Sequence, residues 1–167
     1  MTLASNRASV PTAPYDLRID SGGDEFTVCE ASPRLSFTVP VDAAGWTGFE
    51  IEAIVDGERR ALVPLAADAH LFVEWPWLPL SSGQRVRWRA RATNGDTLSK
   101  WSEWASFECG LLDADWTADW ITPVEHDDPG YGARPAHSLT RRFDVSGIVA
   151  ARLYSTALGV YEARING

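Results

Sequence analysis

Sulfur, positive charge and long apolar runs are all scarce in this chain of 167 residues, which carries two Cys, one Met and 15 Lys+Arg against 23 Asp+Glu. The longest apolar stretches, such as Ala61–Ala67, fall far short of the ~20 residues that span a bilayer. The net charge of −8 and a pI of about 4.8 disfavour nucleic acid and anionic membrane as partners, since both require a basic face. Cys29 and Cys109 make no disulfide scaffold, and without a Cys-x-x-Cys pair or a His at ligand spacing they make no metal motif. Buried free thiols are the simplest reading, and a bridge stays open if two strand ends meet. No charged segment followed by an apolar run opens the chain, so no secretory signal is visible, which favours the cytoplasm. Gly-x-Ser-x-Gly, a phosphate-cradling glycine loop and His-Glu-x-x-His are all missing. No catalytic residue, metal ligand or cofactor is therefore assigned.

What is present is ordinary globular composition, 45% hydrophobic and 23% charged, at a length that suggests one domain and a remainder. Residues 1–13 lack periodicity and read as a flexible tail. From 14 to 110 the chain alternates with period two. Leu35, Phe37 and Val39 oppose Arg34, Ser36 and Thr38. Phe49, Ile51, Ala53 and Val55 oppose Glu50 and Glu52, and Val86, Trp88, Ala90 and Ala92 oppose Arg85, Arg87, Arg89 and Arg91. Leu71, Val73 and Trp75 suggest a further strand, with His70 on its outer side. Such alternation marks strands buried on one face, and Asp56-Gly57, Ser82-Gly83 and Asn94-Gly95 are turn pairs between them. About seven short strands in this span predict a β-sandwich.

The texture changes after Gly110. Residues 111–136 read as a junction and loop holding Trp116, Trp120, the carboxylates Asp113, Asp115 and Asp119, and the acidic run Glu125, His126, Asp127 and Asp128. A solvated loop is the simpler reading of these carboxylates, because a metal or acid–base role requires convergent geometry and a pocket. Strands are expected again at 138–145, 150–157 and 160–165, and Asn166-Gly167 has the form of a hairpin turn. The whole is an all-β chain: a sandwich over 14–110, then the first strands of a second, truncated sandwich over 137–167.

The eight Trp residues supply the candidate binding groups. Trp101-Ser-Glu-Trp104 follows the Arg-bearing strand, so antiparallel pairing brings both indoles toward Arg87, Arg89 and Arg91. That arrangement serves either as a structural ladder of guanidinium and indole groups or as a recognition surface. In Trp75-Pro76-Trp77 the proline breaks the strand, which puts Trp75 in the core and leaves Trp77 either packed in the core or junction, the simpler reading, or exposed as an aromatic platform. Trp77, Trp101 and Trp104 are thus candidate sugar contacts, because flat rings stack on pyranose faces. Trp116 and Trp120 are candidates for docking one domain on the next.

Pro33-Arg-Leu-Ser-Phe37, Gly48-Phe-Glu-Ile-Glu-Ala53, Trp88-Arg-Ala-Arg91, Trp101-Ser-Glu-Trp104, Gly110-Leu-Leu-Asp-Ala-Asp-Trp116, Trp120-Ile121 and the stretch Ala151–Gly167 follow one another in this order. The order resembles the front of bacterial α-L-rhamnosidases of glycoside hydrolase family 78, over about residues 15–167. Family members often carry Trp where Phe37 stands and an aromatic where Val86 stands. The resemblance implies a fibronectin type III or immunoglobulin-like sandwich and then a second sandwich. It also implies a separate (α/α)6 barrel in which two acidic residues hydrolyse terminal α-L-rhamnose with inversion. No carboxylate in these residues corresponds to that pair.

The resemblance implies a non-catalytic accessory segment whose partners are the remaining domains of the same chain. A carbohydrate-binding module taking a rhamnosylated glycoside and a protein-interaction module are the alternatives, and an edge-strand dimer of the fragment is a further expectation. If the two junction indoles dock, Trp116→Ala increases protease nicking between residues 113 and 125. Unchanged nicking counts against docking.

Overall fold

Among the described residues there are nine strands: β1 (Tyr15–Ile19), β2 (Thr27–Val28), β3 (Leu35–Thr38), β4 (Gly48–Val55), β5 (Glu58–Arg59), β6 (Val63–Ala66), β7 (Arg85–Asn94), β8 (Thr97–Leu98) and β9 (Ala105–Cys109). They come from a computed structural model that describes residues 13–19, 27–40, 45–124, 130, 132 and 135–166. The expected tail, apart from residue 13, and the run Glu125–Asp128 lie outside the described residues. The chain divides into two units, Met1–Trp116 and Thr117–Gly167.

In the first unit, β1 and β3 form one small antiparallel sheet, and the order β2-β9-β7-β4-β5 forms a larger one, with β6 also on β4 and β8 on β7. The eight-residue pairing of β4 with β7 is its spine, with Phe49 opposite Ala92, Ile51 opposite Ala90, Ala53 opposite Trp88 and Val55 opposite Val86. Large side chains face small ones across the pair, so the inner face fills without overlap. Leu35 and Phe37 of the small sheet close on it, and the Phe37 ring meets Phe49 edge-on at 5.1 Å. Phe37 is almost wholly buried. The all-β sandwich expected for this region is therefore what forms.

Three local expectations are corrected. The run 71–75 is no strand: only Val73 bridges to Leu35, and Leu71 is exposed. His70 does not point outward. It lies half-buried beside the Phe37 and Phe49 rings at 6.3 and 6.2 Å, with Nδ1 lacking a hydrogen-bond partner. Asn94 ends β7 opposite Thr97, so the turn falls on Gly95 and Asp96. The Asp56-Gly57 turn forms as expected, both residues having positive φ (49° and 87°), which is what a type I′ hairpin requires.

In the second unit, no strand or helix occurs among the described residues. The strands expected at 138–145, 150–157 and 160–165 do not form, although their alternation is genuine. A strand is only half of a structure, since its N–H and C=O groups need a neighbouring strand and its apolar face needs a layer to cover it. The described residues of this unit provide neither. Phe143, Val149, Leu158 and Val160 are all exposed.

Gly48 shows how closely the large sheet is packed. It sits in β4 between Ala66 of β6 and Thr93 of β7, and a Cβ there would lie 2.6 Å from the Leu65 carbonyl oxygen. Backbone cannot swing aside as a side-chain tip can. Gly48→Ala is expected to cost about 1–3 kcal/mol, read as a lower urea midpoint with an unchanged slope. An unchanged midpoint would mean that β6 is free to withdraw.

Candidate interaction site on the arginine and tryptophan face

The outer face of the large sheet follows from the same register that builds the core. Residues alternate, so Arg87, Arg89 and Arg91 stand opposite the core residues of β7, and Glu52 and Glu50 face Arg89 and Arg91 across the strand pair. Arg89 Nε donates to Glu52 Oε1 at 2.6 Å, and Arg91 Nε donates to Glu50 Oε2 at 2.6 Å. The second nitrogens of both guanidinium groups contact the same oxygens, and Arg59 adds a longer contact of 3.7 Å to Glu52. Glu52 retains only 5% of its exposure, so its charge is desolvated and depends on these cations.

Trp101 and Trp104 lie across these arginines. The guanidinium carbon of Arg87 is 4.9 Å from the Trp104 ring centroid and that of Arg89 is 4.4 Å from it; Arg89 and Arg91 stand 4.5 and 4.4 Å from the Trp101 centroid. Each indole is sandwiched between two cations. The geometry is thus a stack running Arg87, Trp104, Arg89, Trp101, Arg91, with each contact worth ~0.5–1 kcal/mol where exposed.

Two serines hold both indoles on one face. Residues 99–104 belong to no strand, and residues three apart share a side, the recurrence of an extended three-residue turn. On the inner side, the Ala90 amide donates to Ser102 Oγ at 3.0 Å, and the Ala92 amide donates to Ser99 Oγ at 2.9 Å. Each hydroxyl donates in turn to the next residue's carbonyl, Glu103 at 2.9 Å and Lys100 at 2.7 Å. The serine amides complete the pattern by donating to the Ala90 and Ala92 carbonyls. Hydroxyl groups thereby replace the carbonyls of an ordinary ladder. The sequence reading did not single out Ser99 and Ser102; the interleaved spacing Ser99, Trp101, Ser102, Trp104 was the signal that could have found them.

Beside the stack, an open cleft of about 430 Å3 lies between residues 13–17 and 101–105. Its size is within the range of small-ligand sites. The carboxylates near it are Asp16 and Glu103, and that of Asp16 already accepts from Arg18 Nε at 3.0 Å and from the Thr38 hydroxyl at 3.5 Å. Trp101 and Trp104 border this cleft while guanidinium groups lie over their rings. Trp77 is half-buried, with its ring edge-on to Trp75 at 4.8 Å and its Nε1 donating to the Ala61 carbonyl at 2.8 Å. Trp77 thus packs against the core, the simpler of the two placements that the sequence left open.

The remaining candidates stand apart from this face. Trp116 is 37% exposed at the end of the first unit, and Trp120 is 67% exposed in the second. Asp113–Asp115 form a short 3-10 turn in which Asp115 accepts from the Ser82 hydroxyl at 2.5 Å. The two thiols are both free: Cys29 is exposed, against expectation, and Cys109 is buried. Burial pushes the Cys109 thiol above its ordinary value, and the neighbouring Cys29 and Asp115 add to the shift. Among the described residues, no three His, Cys, Asp or Glu side chains gather as a metal site requires.

Residues 14–113 match the family model described as "Rha78A-like, N-terminal immunoglobulin domain". Two curated relatives carry the name alpha-L-rhamnosidase. One, from Formosa agariphila, is 38% identical over 157 residues; the other, from Alteromonas sp. (strain LOR), is 28% identical over 155. Each alignment covers 83% of this chain, which spans 17% of either relative's length. An α-L-rhamnosidase structure from Dictyoglumus thermophilum superposes with a TM-score of 0.57 at 19% identity, over 71% of this chain and 15% of that one. A Streptomyces avermitilis α-L-rhamnosidase complexed with L-rhamnose gives 0.50 at 22% identity, over 64% and 12% respectively. At such identities the two structures establish the fold.

The serine arrangement predicts a specific loss. Ser102→Ala leaves the buried Ala90 amide without an acceptor and is expected to cost about 1–3 kcal/mol in urea unfolding. Ser106→Ala, on an exposed position of β9, is expected to stay within about 0.5 kcal/mol. Equal effects would remove the role given to the hydroxyl.

Proposed function

This chain belongs to the family of Rha78A-like N-terminal immunoglobulin domains, and from that premise we propose that it is the non-catalytic front segment of a longer α-L-rhamnosidase. The supporting observation is the alignment to the Formosa relative, which takes in 83% of this chain and only 17% of an enzyme of that name. In this reading the sugar-cleaving acid and base belong to the remainder of the longer polypeptide. There, two carboxyl groups separated by ~6.5–9.5 Å admit a water and invert the anomeric carbon. The role of the present residues is mechanical: a stable sandwich that supports its neighbours.

The state of the polar groups favours that role. On the arginine and tryptophan face, the arginines are committed to glutamates and indoles, the indole faces to guanidinium groups, and the two serines to backbone. A stacking platform for a pyranose needs an open ring face, and guanidinium groups lie over these rings. Trp116, Trp120 and the exposed apolar side chains described between 117 and 166 are among the groups available for docking on the remainder. Burying two indoles of ~150–250 Å2 each would contribute several kcal/mol at ~25 cal/mol per Å2.

Hydrolysis of nitrophenyl α-L-rhamnoside tests the proposal. The 167-residue chain is expected to show none above buffer, and the longer polypeptide carrying it is expected to release L-rhamnose with inverted configuration, followed by NMR of the first-formed anomer. Turnover by the chain alone would overturn the accessory role, and a longer polypeptide inactive on rhamnosides would overturn the family activity.

A further inference from the structure

The segment following β6 contains a defect of pairing that the sandwich does not need. Leu35 and Val73 exchange two backbone hydrogen bonds of 2.8 Å, which sets a regular antiparallel pair. Continued pairing would bring the Phe37 amide to the carbonyl of residue 71. It donates instead to the His70 carbonyl at 2.9 Å. One extra residue has therefore been inserted, and Leu71 and Phe72 together oppose Ser36. This is a β-bulge. The Ser36 hydroxyl takes up the displaced Phe72 amide at 2.9 Å, so the bulge is anchored on both sides and at its centre.

The residue at its centre is unexpected. Phe72 has φ of 53°, a left-handed conformation that such bulges ordinarily give to glycine and that is unfavourable for a bulky side chain. Its ring does not repay that strain by filling the core: Phe72 is 58% exposed and Leu71 57%. The Arg34 guanidinium lies over the Phe72 ring, 5.5 Å from its centroid, putting a cation beside the exposed pair. A rigid pair of apolar side chains is thus held away from the sandwich on strained backbone. Strain of this kind persists where the surrounding structure enforces it, and it clusters where side chains contact something else.

We infer that Leu71 and Phe72 form a docking knob for the part of the longer polypeptide outside these 167 residues, which meets it with an apolar socket rimmed by a carboxylate facing Arg34. The inference rests on the accessory reading above, since it is the small share of its relatives that this chain spans, 17%, that supplies a large partner in fixed register. Rigidity suits that partner. A knob anchored through β3 cannot adapt to varied surfaces, but it loses little freedom on entering a constant one. The arginine at its edge favours an acidic rim over a second copy, which would bring two Arg34 side chains toward each other across a two-fold axis.

Hydroxyl-radical footprinting of the Leu71 and Phe72 side chains tests this in the longer polypeptide and in the 167-residue chain at two concentrations, with rhamnoside hydrolysis assayed alongside. Oxidation is expected to be several-fold slower in the longer polypeptide and independent of concentration in the chain alone. Phe72→Gly should leave the melting temperature of the 167-residue chain unchanged or raise it, while restoring several-fold faster oxidation of Leu71 in the longer polypeptide. Equal oxidation in both wild-type proteins overturns the knob; if rhamnoside is still cleaved, the functional reading stands without it. Loss of hydrolysis together with slow oxidation overturns the reading of activity and leaves the docking surface. Protection that grows with concentration in the chain alone assigns the knob to a second copy and overturns the inference. A lower melting temperature for Phe72→Gly also overturns it, because the ring would then serve the sandwich itself.

Discussion

The antiparallel pairing of β4 with β7 governs both faces of the larger sheet at once, because side chains alternate between faces along a regularly paired strand. With Ile51 set opposite Ala90, the neighbours on the reverse face are necessarily Glu52 with Arg89 and Glu50 with Arg91. A slip by one residue would carry Trp88 into water and Arg89 into the core. The apolar face and the charged face therefore enforce the same register, and the serines of 99–104 extend that agreement to a third segment. Trp88 shows which contribution dominates. Its ring is fully buried although its Nε1 finds no partner, so the packing it provides outweighs the unmet donor.

The same pairing fills a face rich in aromatic and charged groups with partners from within the sheet. Recognition surfaces need groups whose best partner is absent until the ligand arrives. Here each cation has a carboxylate, an indole or both, and each indole has cations on its faces. What remains is the cleft bordered by these rings and residues 13–17. The polar groups of this face are thus satisfied within the sandwich itself.

The groups left unspent lie away from that face. Phe72 and Leu71 project from a bulge whose backbone is strained, and the second unit leaves many of its apolar side chains in water. Both features contrast with the economy of the larger sheet. In the second unit the alternating pattern of Ser138–Val145 and Ala150–Ala157 has strand character without a strand, since hydrogen-bonding edges and a covering layer have to come from other segments.

Much was legible from residues alone, because period-two alternation is a local property and burial on one side is its direct consequence. It marked β4 and β7 and identified Trp88, Ile51 and Phe37 as core; the arginines and glutamates were placed on the outer face, and the spacing of Trp101 and Trp104 brought the indoles to the arginines. Other outcomes depended on what each segment met in space. Trp77 turned inward because Trp75 and the Ala61 carbonyl were there to receive it; His70 turned inward because the bulge at 71–72 shifted the phase of its segment by one residue. The fraction of each indole face left open could not be read either, since it depends on which cations lie on both sides. Alternation is written along the chain, whereas phase shifts, occupied ring faces and completed strands arise only between segments distant in sequence, and those the tertiary structure alone decided.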